Sequence, residues 1–359
     1  MWNRTKITTL LGIQYPIFLG PMGGGFSTAS LLAAVSNAGG LGSYGAYTLS
    51  PAQILEAGLE IKALTTKPYN INLWVSDVDP DLKNYPQEKL AGIKKLYEPY
   101  FQELDIPMPE LSGHITSKFE QQLEAVFEIR PAVLSFIFGI PSKEVLQECR
   151  RLNIKTIGAA TTLQEALLLE EGGVDALVAA GFEAGGHRPS FLKPAADSLT
   201  GTFALIQQLS ARISLPIIAA GGITNAKGIA AALCLGADAV QLGTAFLACE
   251  ESNATAVHRD LLFSDAGAKT VLSKSLTGRM GRMIDNRIAS QISNQTEVLP
   301  FPLQVQFMAP LKAAALAKGK TDLINFWSGQ NTSGLKYRKA AELMAHLITE
   351  TEVLCKSAG

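Results

Sequence analysis

Eight short apolar runs, most of them separated by segments of helical pattern, are the feature that most narrows the folds open to this chain. They span residues 16–22, 40–46, 69–75, 132–139, 154–160, 176–181, 216–221 and 239–246, and glycine or another small residue often closes them. The runs are almost continuously apolar rather than alternating, which is the pattern of parallel strands covered on both faces. Between them lie helical patterns at 27–37, 50–63, 162–171, 201–212 and 225–235. Ser27 or Thr28 and Asn225 are suited to cap the first turn, and Pro51 to sit inside it. Repeated strand–helix units joined by right-handed crossovers build a parallel sheet. Eight of them predict an α/β chain closed into a (β/α)₈ TIM barrel. An open, doubly wound sheet is the alternative.

The 359 residues suit one such barrel with an insertion. Two stretches fall outside the repeat. Residues 77–117 are polar and contain proline, so they read as an excursion after the third run. Residues 250–330 contain no evident strand run and carry an Ala-rich helix near 312–318. They predict an additional helical cap, a substrate domain beside the barrel mouth. Residues 335–353 form one amphipathic pattern suited to close the barrel. The expected division is a cofactor-binding barrel over 1–249, completed by 331–359, with a helical substrate domain over 250–330.

Composition excludes several classes of partner. Net charge is −1 and no basic stripe or charge block occurs, which argues against a nucleic-acid or membrane-surface partner. The apolar runs are too short for a membrane span, and the first residues are not followed by a signal-peptide core. Cys149, Cys234, Cys249 and Cys355 are scattered, with no C-x-x-C and no cluster with histidine. They read as reduced packing residues of a cytoplasmic protein, and no metal site is expected. Gly40-Leu41-Gly42-Ser43-Tyr44-Gly45 matches G-x-G-x-x-G, but it follows a helix and is itself a strand run, so it is no dinucleotide fingerprint. Gly319-Lys320-Thr321 lacks the upstream glycine and strand of a P-loop.

The chemistry-bearing residues gather at the ends of the runs, where barrel enzymes place their sites. The seventh run ends Ala219-Ala220-Gly221-Gly222-Ile223 and the eighth holds Gln241-Leu242-Gly243-Thr244. Barrels commonly bind phosphate at these two positions. Glycine there lets a phosphate reach backbone N–H groups, and Thr244 can add a hydroxyl donor. After the sixth run comes Gly181-Phe182-Glu183-Ala184-Gly185-Gly186-His187-Arg188. A histidine behind two glycines at a strand end is well placed for proton transfer, so His187 is the expected catalytic residue. The other three histidines, His114, His258 and His346, lie in the excursions and the last helix and read as surface or packing residues. Arg188 could hold a substrate anion or cap a loop. The glycines around Met22, in Gly20-Pro21-Met22-Gly23-Gly24, would let a flat ring lie on the backbone. Asn72 is a buried amide in need of partners, which a heteroaromatic ring edge or neighbouring backbone could supply.

At these residues the chain resembles the nitronate monooxygenases, and most of all their class I. The resemblance is carried by the Glu-Ala-Gly-Gly-His-Arg string and by the Gly-Gly and Gln-x-Gly-Thr strand ends that follow it. Gly-Pro-Met near the start and Trp327-Ser328-Gly329-Gln330 add to it. It implies bound FMN and oxidation of alkyl nitronates such as propionate 3-nitronate by O₂, giving a carbonyl compound and nitrite. It implies flavin contacts at Met22, Asn72, Gly185, Gly222 and the stretch Gln241, Leu242, Gly243 and Thr244, with His187 catalytic. A carboxylate-bearing nitronate would also need a cation, for which Arg188 or a cap residue is the candidate. One departure is visible: Ala180 stands where the family usually has glutamine, so a side-chain contact to the flavin is expected to be missing. Competing readings are an FMN-dependent NAD(P)H reductase (enoyl-acyl-carrier-protein or quinone), a flavin-free phosphate-binding barrel and a non-catalytic flavin binder. IMP dehydrogenase is similar at Gly236-Ala237-Asp238-Ala239-Val240, but its family needs a nucleophilic cysteine that the loop after the sixth run lacks.

Overall fold

A computed structural model describes residues 1–79, 85–111 and 115–357. In chain order its strands are β1 (Ile17–Leu19), β2 (Gly42–Gly45), β3 (Tyr69–Trp74), β4 (Val133–Ile137), β5 (Lys155–Ala160), β6 (Ala176–Ala180), β7 (Gly186–His187), β8 (Ile217–Ala220), β9 (Ala239–Leu242), β10 (Thr270–Ser273) and β11 (Gly281–Ile284). Eight of them form one parallel sheet in the order β1-β9-β8-β6-β5-β4-β3-β2. Its two ends meet, because Leu19 N–H donates to Leu41 O at 2.9 Å and Leu41 N–H to Ile17 O at 3.0 Å. The sheet is therefore a closed barrel, and the doubly wound alternative is excluded. Each of the eight sequence runs contains one barrel strand.

The helices start where the capping chemistry put them. Thr28 Oγ1 accepts Leu31 N–H, Ser50 caps a helix that begins at Pro51, and Asn225 Oδ1 accepts Gly228 N–H. The C-terminal helix, Ala340–Ser357, buries Leu343, Met344 and Leu347 in the cluster that lies between barrel and outer helices. The G-x-G-x-x-G match is a strand, as expected, and Gly42 is required there because a Cβ would meet Leu32 O at 2.1 Å.

Side-chain alternation along the strands sorts two shells. Ile157, Val178, Ile218 and Phe18 fill the barrel interior, with Ile7, Leu11 and Ile13 packed into the same cluster. Toward the C-terminal ends the interior positions become small or polar: Ala159, Ala180 and Ala220, with Asn72 paired in register to Ser135 and Ala220 to Gln241. A barrel is normally filled by large branched side chains. This layer leaves space at the mouth.

A second apolar cluster stands beside that mouth. It joins Tyr97 and Phe101 of helix Gln87–Glu103, and Leu104 that caps it, to Met283, Leu299, Phe307, Leu311 and Phe326. The 77–117 excursion thus shares a core with residues of 250–330. The expectation of a purely helical cap is corrected here. β10 pairs antiparallel with β11, and β11 pairs with β7, so a three-stranded sheet joins the cap to the loop after β6. The strands were missed because each is four residues or fewer, and β7 finds its partner β11 far away in sequence.

Two of the four cysteines, Cys149 and Cys249, are buried packing residues whose thiols burial pushes up to about 12. Cys234 is exposed, which corrects the expectation that all four pack internally; all four are free thiols. Among the described residues no helix is long and apolar enough to cross a membrane, and no group of three or more His, Cys, Asp or Glu could hold a metal ion.

Candidate active site

A cavity of about 240 Å³ opens where the interior layer runs out of large side chains. Its wall brings together nearly all the residues singled out from the sequence: Met22, Asn72, Gly185, His187, Gly222, Gln241, Gly243 and Thr244. Leu242 is the exception. Alternation turns it outward, so it is buried in the helix-facing core while its carbonyl accepts Gly20 N–H at 2.8 Å.

His187 is a strand residue rather than a loop residue. It stands opposite Gly281 in the β7–β11 pair, which fixes its backbone from the cap side. Its ring is enclosed by Trp327, Trp74 and Phe301 at centroid distances of 4.9, 5.3 and 5.8 Å, and otherwise lines the cavity. Nε2 lies 2.9 Å from Thr277 Oγ1, and the Thr277 hydroxyl donates to Arg279 O at 2.9 Å. Because that hydroxyl proton is committed to a carbonyl, Thr277 accepts from His187, and Nε2 carries the proton. Burial, with the nearby charge of Arg279 adding to it, pushes the His187 pKa down to about 3. The ring is neutral at ordinary pH.

Arg188 is settled by its partners. It is 5 % exposed, its Nη1 donates to Ala180 O at 2.5 Å and its Nε to Ser198 O at 3.1 Å. It ties the loop to the end of β6 and has no hand free for a substrate anion. His258 packs behind the cavity, with Nε2 2.8 Å from Trp327 O. His346 is half-buried on the last helix, its ring 4.8 Å from that of Tyr337. His114 lies outside the described residues.

The glycines do two different jobs. At Gly243 a Cβ would meet nothing within 4 Å, and Gly222 has φ +71° with no atom nearer than 3.6 Å. These two border open space. Gly185 is small for packing instead: a Cβ there would come within 2.7 Å of Gly329 N and Ser328 C. The Trp327–Gly329 strap so admitted closes one side of the cavity, and Gly329 N–H donates to Thr244 Oγ1 at 2.8 Å. That leaves the Thr244 hydroxyl proton for a ligand. Thr224, also in the wall, has a buried Oγ1 without a partner. Asn72 is held by Nδ2 donation to Ser135 Oγ at 2.9 Å, and its side-chain Oδ1 has no protein donor among the described residues.

Several site residues were not found from sequence. Thr277 sits in a turn with no motif, and Ser135 was one polar residue in an apolar run. Tyr47 and Trp74 stack with centroids 3.6 Å apart in the wall, and neither spacing nor residue type announced the pair.

A closed parallel barrel with an enclosed histidine at the mouth of a glycine-lined cavity is the make-up of a TIM-barrel enzyme, and the comparisons with known proteins make it an oxidoreductase. Residues 4–350 match the protein family described as nitronate monooxygenase. A probable nitronate monooxygenase of Staphylococcus aureus is 34% identical over 98% of both chains. Among solved structures, a nitroalkane oxidase from Streptomyces ansochromogenes superposes with a TM-score of 0.89 at 29% identity, over 98% of this chain and 99% of that one. FabK from Thermotoga maritima does so at 0.76 and 26%, over 99% and 98%. The chain belongs to the nitronate monooxygenase family.

Proposed function

We propose that the protein is an FMN-dependent monooxygenase that oxidises alkyl nitronates with O₂ to a carbonyl compound and nitrite. The observation that supports this most is the neutral, enclosed His187 ring beside a cavity whose wall fits a flavin nucleotide. Gly222 and Gly243 leave space that a side chain would fill, and the buried Thr224 hydroxyl lacks a partner there. With the Thr244 hydroxyl and the first-turn N–H groups of helix Thr244–Leu247, they would hold the phosphate end. Asn72 and Gln241, on the inward face of β3 and β9, would meet the polar edge of the ring system, with Met22 and Gly185 flanking it. Ala180 supplies no amide, so that edge has one fewer polar partner.

When bound, FMN would supply an electron acceptor for the nitronate and the means to pass electrons to O₂. The chain's own part is placement and exclusion. Trp74 and Trp327 narrow the space beside His187, and the 327–329 strap keeps water from one side. A nitronate arrives already deprotonated, so a base is not needed for it. A neutral nitroalkane would need one, and a ring with a pKa near 3 is a poor base. On this reading the low basicity of His187 suits nitronates better than nitroalkanes.

A second reading, an FMN-dependent NAD(P)H reductase, has the likeness to FabK in its favour. One experiment separates the two. The flavin absorbance of purified protein is followed anaerobically on adding a nitronate, then NADH and NADPH. Bleaching by nitronate supports the first reading, bleaching by NAD(P)H alone supports the second, and a preparation without flavin absorbance sinks both.

A further inference from the structure

We propose that Thr277 is a positioning residue which holds His187 with its bare nitrogen, Nδ1, available to the cavity, so that an anion binds there with uptake of one proton. A carbonyl cannot donate, so the 2.9 Å contact between Thr277 Oγ1 and Arg279 O uses the threonine proton. The 2.9 Å contact with His187 Nε2 then uses the imidazole proton. Nδ1 has no partner among the described residues, and the ring lines the cavity.

A bare nitrogen repels an anionic oxygen. Moving the ring's proton to Nδ1 would cost a hydrogen bond, because the Thr277 hydroxyl would have to turn to Nε2 and abandon Arg279 O. The remaining route is to take a proton from solvent: an N–H bond forms at Nδ1, none breaks on the anion, and the imidazolium pairs with the negative charge. An opposite charge within contact favours that form.

The groups around the ring leave this role to His187. Arg279 is paired to Asp79 at 2.7 Å, Arg188 is held by Ala180 O and Ser198 O, and Arg282 donates to Phe182 O. Glu183 accepts from Thr202, burial raises the Tyr47 hydroxyl to about 12, and burial lowers His258 to about 4. Neither the Tyr47 hydroxyl nor the His258 ring is set to exchange a proton near neutrality.

The inference rests on the nitronate reading only for the identity of the natural anion, so nitrite serves as the probe. Nitrite is titrated into the flavin-loaded protein at a series of pH values, with binding read from the flavin spectrum and tryptophan fluorescence. The wild-type affinity should weaken about tenfold per pH unit over roughly pH 5–7, the signature of one proton taken up. Thr277→Val removes the acceptor, frees the ring to carry its proton on Nδ1 and should flatten that slope; Thr277→Ser should restore it. Wild-type binding independent of pH, no nitrite binding, or a full slope in Thr277→Val would overturn the proposal. If Thr277→Val does not fold, ¹⁵N NMR of wild-type histidine, with His187 assigned by its loss in His187→Asn, decides alone: a proton on Nδ1 in the free protein refutes it. Nitronate turnover is assayed separately, so proton-linked nitrite binding without turnover would sink the functional reading and leave this one standing.

Discussion

Arg279 Nη2 lies 2.7 Å from Asp79 Oδ1, and this ion pair joins the start of the excursion after β3 to the cap directly behind the wall of the cavity. The guanidinium is stacked 4.3 Å from the Phe138 ring and 4.7 Å from Phe301, and it donates to Ser76 O at 2.7 Å. Asp79 Oδ2 also accepts Phe301 N–H at 2.8 Å. Both partners are mostly buried, at 11% and 25% side-chain exposure. Breaking a buried pair from one side leaves an uncompensated charge. Asp79→Asn should therefore lower stability by about 3 kcal/mol, read as a shift in the urea midpoint. An unchanged midpoint would show that the pair is a solvated contact.

The same arginine tunes His187. Its charge is the second cause, after burial, of the low His187 pKa. Arg279→Met keeps bulk against Phe138 and removes the charge, so the His187 pKa should rise toward the ordinary value of 6.5. An NMR titration of the His187 ring reports it directly, and a pKa that stays at about 3 would assign the whole effect to burial.

Acid should destabilise the fold through two rings held neutral, the buried His258 and the half-buried His187. His187 falls to about 3 and His258 to about 4 in the folded protein, each from an ordinary 6.5. Between those limits the unfolded chain binds protons that the folded chain refuses, so stability is full above about pH 6.5 and declines as pH falls toward 3. Each ring contributes up to about 1.4 kcal/mol per pH unit inside its window. Thermal denaturation of wild type and His258→Asn from neutrality to about pH 5 measures this. The variant should show the weaker dependence, and parallel curves would rule out His258 as a source.

The barrel was legible because its signal is local. Each of the eight runs is a few apolar residues closed by a turn, and Thr28, Pro51 and Asn225 announce their helices by local chemistry alone. His187, Gly222, Gly243 and Thr244 could be read for the same reason: the fold fixes where strand ends go. What could not be read is pairing between remote segments. Gly186–His187 becomes a strand only because Gly281–Arg282 lies beside it, and Thr277 matters only because that sheet brings it to His187. Gly185 was read as an opening for a ligand, whereas the backbone of Ser328 and Gly329 demands it. Arg188 looked equally like an anion site or a loop tie until Ala180 and Ser198 supplied its acceptors.

The tail of the substrate should be uncharged. The described wall is glycine, apolar, aromatic and uncharged polar residues with a neutral His187, and Arg188, Arg279 and Arg282 all point to protein acceptors. A carboxylate carried inside without a cation loses several kcal/mol of hydration. A butyl nitronate should therefore exceed propionate 3-nitronate in kcat/KM by at least about tenfold, a difference of ~1.4 kcal/mol. Equal values would mean that a cation reaches the tail.

Gly243 and Gly185 give opposite outcomes for the same substitution. Gly243 has φ −100° and open space around the position of a Cβ, so alanine fits the folded chain. The methyl would stand where the phosphate end of the flavin is proposed to lie. Gly243→Ala should keep the far-UV spectrum and the denaturation midpoint of flavin-stripped protein, and lose most of its bound flavin. Gly185→Ala meets backbone at 2.7 Å and cannot relax by rotating a side chain. It should displace the 327–329 strap and cost the flavin-stripped protein about 1–3 kcal/mol, as overpacking does elsewhere. Flavin content by absorbance ratio and urea denaturation of the stripped proteins separate the two. Full flavin occupancy in Gly243→Ala would move the phosphate end away from the β9 terminus.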